Sequence, residues 1–418
     1  MSEKTLGSVM VIGGGIAGLT AAWDLSRFGI EVHLVEKTSF LGGYAIQFCC
    51  KATDECQQCS ACTVEKVLKN VIDEPKIKIH LRTEIEKVNH NGRFAVSVNI
   101  GPKYIDPAKC TSCGICFEKC PVEGALQRGY SKNNTPLYSI YEDKCLFVKD
   151  KSCTVCQDTC PEEAIVLNIT DSTDELEIDA IILAAGFQPF DAQEKPGYGY
   201  GEFNNVITGL DLERLIRENG SGISTPDGKI PQKVAFIQCV GSRDERLGNL
   251  WCSQVCCPYA LRMSEAMKHK NPDTEIAIFY MDVQNTGNSF PTFYEKVKSD
   301  LRLIRIIPSD IYPMEDNRLC LQYMGEDEGL PVKEEFDLVV LSIGIMPGSD
   351  NKKLSELLGL NLDEDGFFLC TDEINKSSTS KDGIFIAGTA EGPKSIAASM
   401  AHAGQAACEA MKYLGVTE

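Results

Sequence analysis

The sequence predicts an α/β protein made of two related nucleotide-fold units, with a cysteine-rich α+β insertion in the first. Three observations carry that expectation. The chain opens on a strand, a glycine loop, a helix and a second strand; two later apolar runs each end in glycine; and a dense block of cysteines lies between the opening and those runs.

Val9 to Ile12 form a short apolar run before Gly13-Gly-Gly-Ile-Ala-Gly18, and Leu19, Ala22 and Leu25 continue at helical spacing. Val32 to Val35 predict a second strand that ends at Glu36. From Tyr104 to about Leu167 the apolar pattern breaks into cysteine-rich turns, as an inserted module would. Ile178 to Gly186 reads as a buried parallel strand, Lys233 to Val240 as the first strand of a second unit, and Phe336 to Gly344 as the second unit's matching strand end. Gly383 to Thr389 predicts a strand entering a glycine turn, and the Ala- and Met-rich stretch Ser395 to Tyr413 a buried helix that completes the first unit. Gly197 to Gly201 and Gly220 to Gly228 read as loops, the latter as a hinge.

Composition narrows the function. Sixty acidic residues against forty-one basic ones give a formal charge of -19, which repels the nucleic-acid backbone and anionic membrane surfaces. No apolar run is long enough to cross a membrane, and the first residues lack the basic and apolar regions of a signal peptide, so a cytoplasmic location is expected. Twenty cysteines at short, regular spacings, several followed by proline, point to iron and a reducing, oxygen-poor setting, not to disulfides. No nucleophile–base motif, zinc signature or Walker loop is present.

Gly13, Gly15 and Gly18 fit Gly-x-Gly-x-x-Gly in its required strand–turn–helix context. The first allows the tight turn, the second lets backbone N–H groups approach a pyrophosphate, and the third lets helix pack on strand. Glu36 then stands where a ribose would be bound. Cys110-x2-Cys113-x2-Cys116-x3-Cys120-Pro121 has bacterial ferredoxin spacing, and Cys145, Cys153, Cys156 and Cys160 form its partner. Because the fourth thiolate of each run crosses to the other cube, the expected sets are Cys110, Cys113, Cys116 and Cys160, and Cys145, Cys153, Cys156 and Cys120. The seven-residue gap after Cys145 implies a longer loop. Cys239, Cys252, Cys256 and Cys257 gather where the second unit would place its glycine loop, which favours a cluster and disfavours NAD(P)H. The adjacent pair then requires a distorted turn; a group of inert buried thiols is the alternative. Cys56, Cys59 and Cys62 also have ligand spacing, with Cys49 or Cys50 as the fourth thiolate. Cys320, Cys370 and Cys408 read as isolated, small buried residues.

Gly42 and Gly43 after the acid, the Ala184-Ala185-Gly186 strand end and the Ala387-Gly388-Thr389 turn resemble the two-dinucleotide-domain flavoproteins that include thioredoxin reductase. That resemblance implies FAD as the dinucleotide. Thr389 replaces the acid that family usually places beside the ribityl chain, and Lys394 falls where the chain should pass the flavin ring, as a candidate catalytic cation. His402 follows on the last helix and is expected to be structural. Together with the ferredoxin insert, the Cys239-Val-Gly-Ser-Arg243 and Cys252-Ser-Gln-Val-Cys-Cys257 motifs and Ala387-Gly-Thr-x-x-Gly-Pro-Lys394, the chain resembles the HdrA family of heterodisulfide reductase components. The architecture implied is a thioredoxin-reductase-like flavoprotein with an inserted 2[4Fe–4S] ferredoxin domain. Its parts would be residues 1–100, 169–230 and 346–418 for the FAD-binding domain and linker, 101–168 for the insert, and 231–345 for the second nucleotide-fold domain.

The same resemblance implies an FAD- and [4Fe–4S]-dependent electron-transfer subunit, electron-bifurcating in some members, with a cluster on Cys239, Cys252, Cys256 and Cys257. It implies a homodimer working with HdrB-, HdrC- and MvhD-like subunits, or as the BamE-type subunit of a class II benzoyl-CoA reductase complex. The rival readings are a self-contained NAD(P)H-dependent oxidoreductase and a scaffold whose flavin never turns over.

Overall fold

The computed structural model describes residues 6–130, 136–219, 223–225, 228–284, 290–325 and 329–416. A five-stranded parallel sheet organises the first unit, in the spatial order Ile384–Ile386, Ala180–Leu183, Ser8–Ile12, Glu31–Glu36 and Ile77–Leu81. Its central strand is apolar throughout because both faces are covered. Val9 and Val11 enter the core under the helices, while Met10 and Ile12 face a second sheet. Helix Ile396–Tyr413 lies against helix Ile16–Arg27 through Ala403, Ala406, Ala407 and Ala410, small side chains that permit close approach. The carboxyl end thus closes the unit that the amino end begins.

The second sheet, antiparallel, contains Thr83–Asn91, Arg93–Ile100 and Ser172–Ile178, and packs Phe94, Val96 and Val98 onto the parallel one. Ile100 and Ser172 are register partners, so the chain leaves and re-enters this sheet at neighbouring strand ends. That adjacency is why a module fits between them without disturbing the core. The insert has its own small core, with Tyr104, Cys116, Leu126, Ile140, Phe147, Ile165 and Leu167 buried together.

A second parallel sheet runs in the order Val206–Thr208, Leu338–Ile343, Lys233–Val240, Glu275–Phe279 and Arg302–Ile304. This corrects one boundary. Val206–Thr208 pairs with Val339–Leu341, and helix Gly209–Asn219 buries Leu212 and Ile216 in the same core, so residues 206–219 belong with the second unit and not with the linker. Most of the expected hinge, Gly220 to Gly228, lies outside the described residues. The strands that pass between the units are Gln188–Pro189 and Ile345–Met346, paired antiparallel. Among the described residues no helix is long and apolar enough to cross a membrane.

The second unit also carries a three-stranded antiparallel sheet, Asp310–Pro313, Leu319–Met324 and Pro331–Phe336, tied to the parallel sheet by Glu334. The Glu334 carboxylate accepts from Arg302 Nη2 at 2.8 Å and Tyr323 Oη at 2.6 Å, and pairs with Lys233 Nζ at 2.6 Å. Burial alone would raise its pKa, but those bonds outweigh it and hold the carboxyl at about 2. A carboxyl whose pKa is depressed on folding stabilises at pH values above its unfolded pKa, and that contribution fades as pH falls towards its folded pKa. We therefore expect the second unit to lose about 2 kcal/mol between roughly pH 5 and pH 2, allowing for the half-exposed Arg302. Urea midpoints followed by Trp251 fluorescence should show this slope, and Glu334→Gln should flatten it.

Candidate functional site: one cavity bordered by three cysteine sets

A cavity of about 1040 Å³ opens along the carboxyl ends of the first parallel sheet. Gly13, Gly15 and Glu36 line one end; Tyr44, Ala184 to Gln188, Thr389 and Lys394 line the middle; Tyr259 and Arg262 of the second unit line the other. Crevices at strand ends of this kind are where α/β folds bind nucleotides.

The glycine loop is built as the sequence requires. Gly13 has φ +106°, and a β-carbon there would stand 2.3 Å from the Ala184 carbonyl oxygen. A β-carbon on Gly18 would lie 1.8 Å from the Gly13 carbonyl oxygen, so helix and loop touch only because both residues lack one. Gly15, which caps helix Ile16–Arg27, would meet no protein atom within 4 Å. The room beside it belongs to the cavity, next to the helix's unpartnered first N–H groups. Glu36 is buried and accepts from the Gly14 N–H at 2.7 Å and the Thr38 N–H at 2.8 Å. It therefore fixes the loop as well as facing the cavity. At the far end the buried Tyr259 hydroxyl has no hydrogen-bond partner. Open space at Gly15, free amides and an orphaned hydroxyl fit an elongated dinucleotide such as FAD.

Lys394 lies in the cavity wall and is ion-paired with Glu391. Ser395 caps the following helix by accepting from the Ala398 N–H at 3.2 Å, which fixes the turn that carries Lys394. His402 is buried with neither ring nitrogen hydrogen-bonded, and burial, then the Lys394 ammonium, lowers its pKa.

The insert brings its two cysteine runs together. Cys110, Cys113, Cys116 and Cys160 line one small cavity with Ile105, Tyr138 and Ile165. Burial, with the neighbouring thiols, pushes the Cys116 pKa up to about 11, and Cys156 responds likewise, with Cys145 and Cys120 as neighbours. The gap between Cys145 and Cys153 is not merely a longer loop: it holds the short helix Leu146–Asp150, ended by Lys151 at φ +62°. The strand Leu126–Tyr130 and Phe117, next to Cys116, reach the large cavity.

Cys239, Cys252, Cys256 and Cys257 lie close enough to act on one another electrostatically, and burial raises the pKa of Cys239, Cys256 and Cys257. The expected distortion falls before the adjacent pair, not between them. Cys239, Arg243 and Gln254 are left-handed, at φ +57°, +53° and +59°, and Cys256 and Cys257 simply open helix Cys256–Lys270. Arg243 clamps Asp282 with two bonds of 2.6 and 3.0 Å. Of the third set, Cys49 is buried and interacts with Cys59, which lines the large cavity, whereas Cys50, Cys56 and Cys62 are exposed. The three isolated cysteines depart from expectation: Cys408 is exposed on the solvent side of the last helix, and Cys320 and Cys370 are only partly covered. Among the described residues no three His, Cys, Asp or Glu side chains close on a point as a single ion requires; a cube spreads its thiolates over separate corners.

One feature had no sequence signal. Lys51 and Glu213 form an ion pair of 2.5 Å in the cavity wall, their side chains 3% and 5% exposed. Glu213 also accepts from the Cys49 N–H at 2.9 Å, and Lys51 donates to the Cys49 carbonyl at 3.3 Å. Neither residue belongs to a motif, and only the fold brings the loop after Phe48 onto helix Gly209–Asn219.

Residues 11–49 match the profile of the NAD(P)-binding Rossmann-like domain, and residues 103–124 that of the 4Fe-4S binding domain. Thioredoxin reductases share the fold: that of Lactococcus lactis superposes over 98% of this chain and 100% of its own, with TM-score 0.54 and 14% identity. That of T. acidophilum superposes over 97% of both chains, with TM-score 0.51 and 14% identity. The architecture is therefore that of a two-dinucleotide-domain flavoprotein carrying an inserted ferredoxin module. Over 96% of its length the chain is a homologue of HdrA, the flavin- and cluster-bearing component of heterodisulfide reductase. It is 35% identical to the HdrA component of the H(2):CoB-CoM heterodisulfide,ferredoxin reductase of Methanothermobacter thermautotrophicus, and 36% to the corresponding iron-sulfur component of the CoB--CoM heterodisulfide reductase of Methanocaldococcus jannaschii. It spans 63% of the length of each.

Proposed function

We propose that the chain binds FAD in the large cavity and [4Fe–4S] clusters on its cysteine sets, and passes electrons between them within a heterodisulfide reductase-like complex. One observation carries this reading. All three kinds of cysteine set border the same cavity: Phe117 beside Cys116, Val255 and Pro258 flanking Cys256 and Cys257, and Cys59 itself stand in its wall. FAD exchanges electrons in pairs or singly, and clusters carry them one at a time. Gly13, Gly15, Gly18 and Glu36 would hold the pyrophosphate and ribose, with Gly42, Gly43, Ala185, Gly186, Gly388 and Thr389 shaping the rest of the bed. Lys394 would set a positive charge beside the ring. Cys110, Cys113, Cys116 and Cys160 would hold one cube, Cys145, Cys153, Cys156 and Cys120 a second, and Cys239, Cys252, Cys256 and Cys257 a third. Cys56, Cys59 and Cys62 would hold a fourth, with the buried Cys49 as a better fourth ligand than the exposed Cys50.

The partners we propose are HdrB-, HdrC- and MvhD-like subunits in a cytoplasmic complex built on a homodimer; a BamE-type place in a benzoyl-CoA reductase is the second setting for the same chemistry. Cys239, left-handed at the end of its strand, stands where NAD(P)H would need a glycine loop, so direct reduction by NADH or NADPH is not expected. Protein purified without air should carry one FAD and about sixteen irons. Anaerobic titration followed by EPR should show flavin and clusters changing oxidation state. About eight irons or fewer would remove the clusters outside the insert, and bleaching by NADH would restore the self-contained enzyme.

A further inference from the structure

The flavin cavity has a charged exit that the proposed electron path does not use. Lys394, in the cavity wall, is paired with Glu391, and both side chains are largely buried, at 17% and 16% exposure. The other carboxylate oxygen of Glu391 faces Lys376 Nζ at 4.0 Å, and Lys376 is 45% exposed to solvent. The row Lys394, Glu391, Lys376 therefore runs from cavity to bulk water within one short stretch of protein. Its geometry is held from both sides. Gly388 seats against Ala17, where a β-carbon would come within 2.5 Å, and Gln405 on the last helix donates to Asn375 beside Lys376 at 3.1 Å.

The remaining ionisable groups facing this row are few. Cys370 Sγ lies 4.0 Å from Glu391, and His402 lies near Lys394 and Glu391. His402 is kept neutral at ordinary pH by burial and by the Lys394 ammonium, so it adds no charge. A carboxylate between two ammonium groups, one inside and one outside, can take a proton from water and give it up inward without a free charge crossing the protein.

We propose that Glu391 is a proton-relay residue, moving protons between solvent and Lys394 Nζ as the bound flavin changes oxidation state. The inference rests on the FAD reading above. When an electron pair enters, one proton leaves Lys394 Nζ for the cofactor. Loss of the ammonium's attraction makes Glu391 more basic, so it takes a proton from water on the Lys376 side and returns it to Lys394. The net uptake is two electrons, from the reductant, and one proton, from solvent. Oxidation runs the same transfers backwards. Glu391 acts through Lys394 and is a positioning and relay group, not one that touches the ring.

The test uses the full chain with its FAD, reduced by a light-driven donor and followed at flavin wavelengths in H2O and D2O across neutral pH. FAD content is measured first, so absence of flavin from the wild type would refute the binding reading and not the relay. With FAD bound, Glu391→Gln should slow the proton-dependent phase by about a hundredfold and change its pH profile and solvent isotope effect. Glu391→Asp should keep most of the rate. Glu391→Ala should be partly restored by added formate, a small carboxylic acid able to stand in for the lost side chain. An unchanged rate and isotope effect in a Glu391→Gln protein that binds FAD normally would overturn the proposal. So would a Glu391→Ala defect that formate leaves untouched.

Discussion

Alanine in place of Gly15 should leave a folded protein that no longer keeps its flavin. The β-carbon would touch no protein atom within 4 Å, so the loop, helix and sheet have no reason to move. It would stand in the space where backbone amides must approach a pyrophosphate, and we expect affinity to fall at least about a hundredfold, roughly 2.7 kcal/mol. Gly18→Ala is the contrasting case. There the new carbon overlaps the Gly13 carbonyl oxygen at 1.8 Å, backbone against backbone, so the first unit itself should fail. Equilibrium titration with FAD, read with circular dichroism and thermal melting, separates the two. Gly15→Ala protein that retains FAD at wild-type affinity would place the dinucleotide elsewhere.

Removal of Glu213 should be among the most damaging single changes in the chain. Lys51 would be left charged in a dry wall without its partner, and the Cys49 N–H would lose its acceptor. Breaking a buried pair in this way costs about 3–5 kcal/mol, because an uncompensated charge remains. Glu213→Ala should show that loss in denaturant unfolding and should lower the iron held by the Cys49–Cys62 region. Lys51→Met with Glu213→Gln removes the charge yet keeps an acceptor for Cys49, and should recover most of the stability. If the double variant is as unstable as Glu213→Ala, the damage does not come from a stranded ammonium. If Glu213→Ala is near neutral, the pair does not hold the loop.

The two cases show what kind of information each level carries. Gly13, Gly15, Gly18 and the ferredoxin spacing were legible because their chemistry is local. A tight turn, a close backbone approach and three thiolates on one loop are all specified within a few consecutive residues. The parallel strands were legible for a similar reason, since burial on both faces leaves an unbroken apolar run at Val9–Ile12 and Leu338–Ile343. The misjudged features are those set by distant partners. Val206–Thr208 is only three residues long, and nothing in it shows that Leu338–Ile343 will claim it. The exposure of Cys408 depends on which face of the last helix meets helix Ile16–Arg27.

By itself the sequence determined the class of protein: a glycine fingerprint in strand–helix context, an insert with ferredoxin spacing, and a second unit whose glycine loop is replaced by cysteine. Each is a short-range pattern that steric and ligand chemistry tie to one structure. Only the tertiary structure decided that the three kinds of cysteine set share a wall of one cavity, that Lys51 meets Glu213, and that Glu391 links Lys394 to water. Those facts join residues far apart in the chain, and such contacts arise only when separate apolar faces are buried together, which no local pattern encodes.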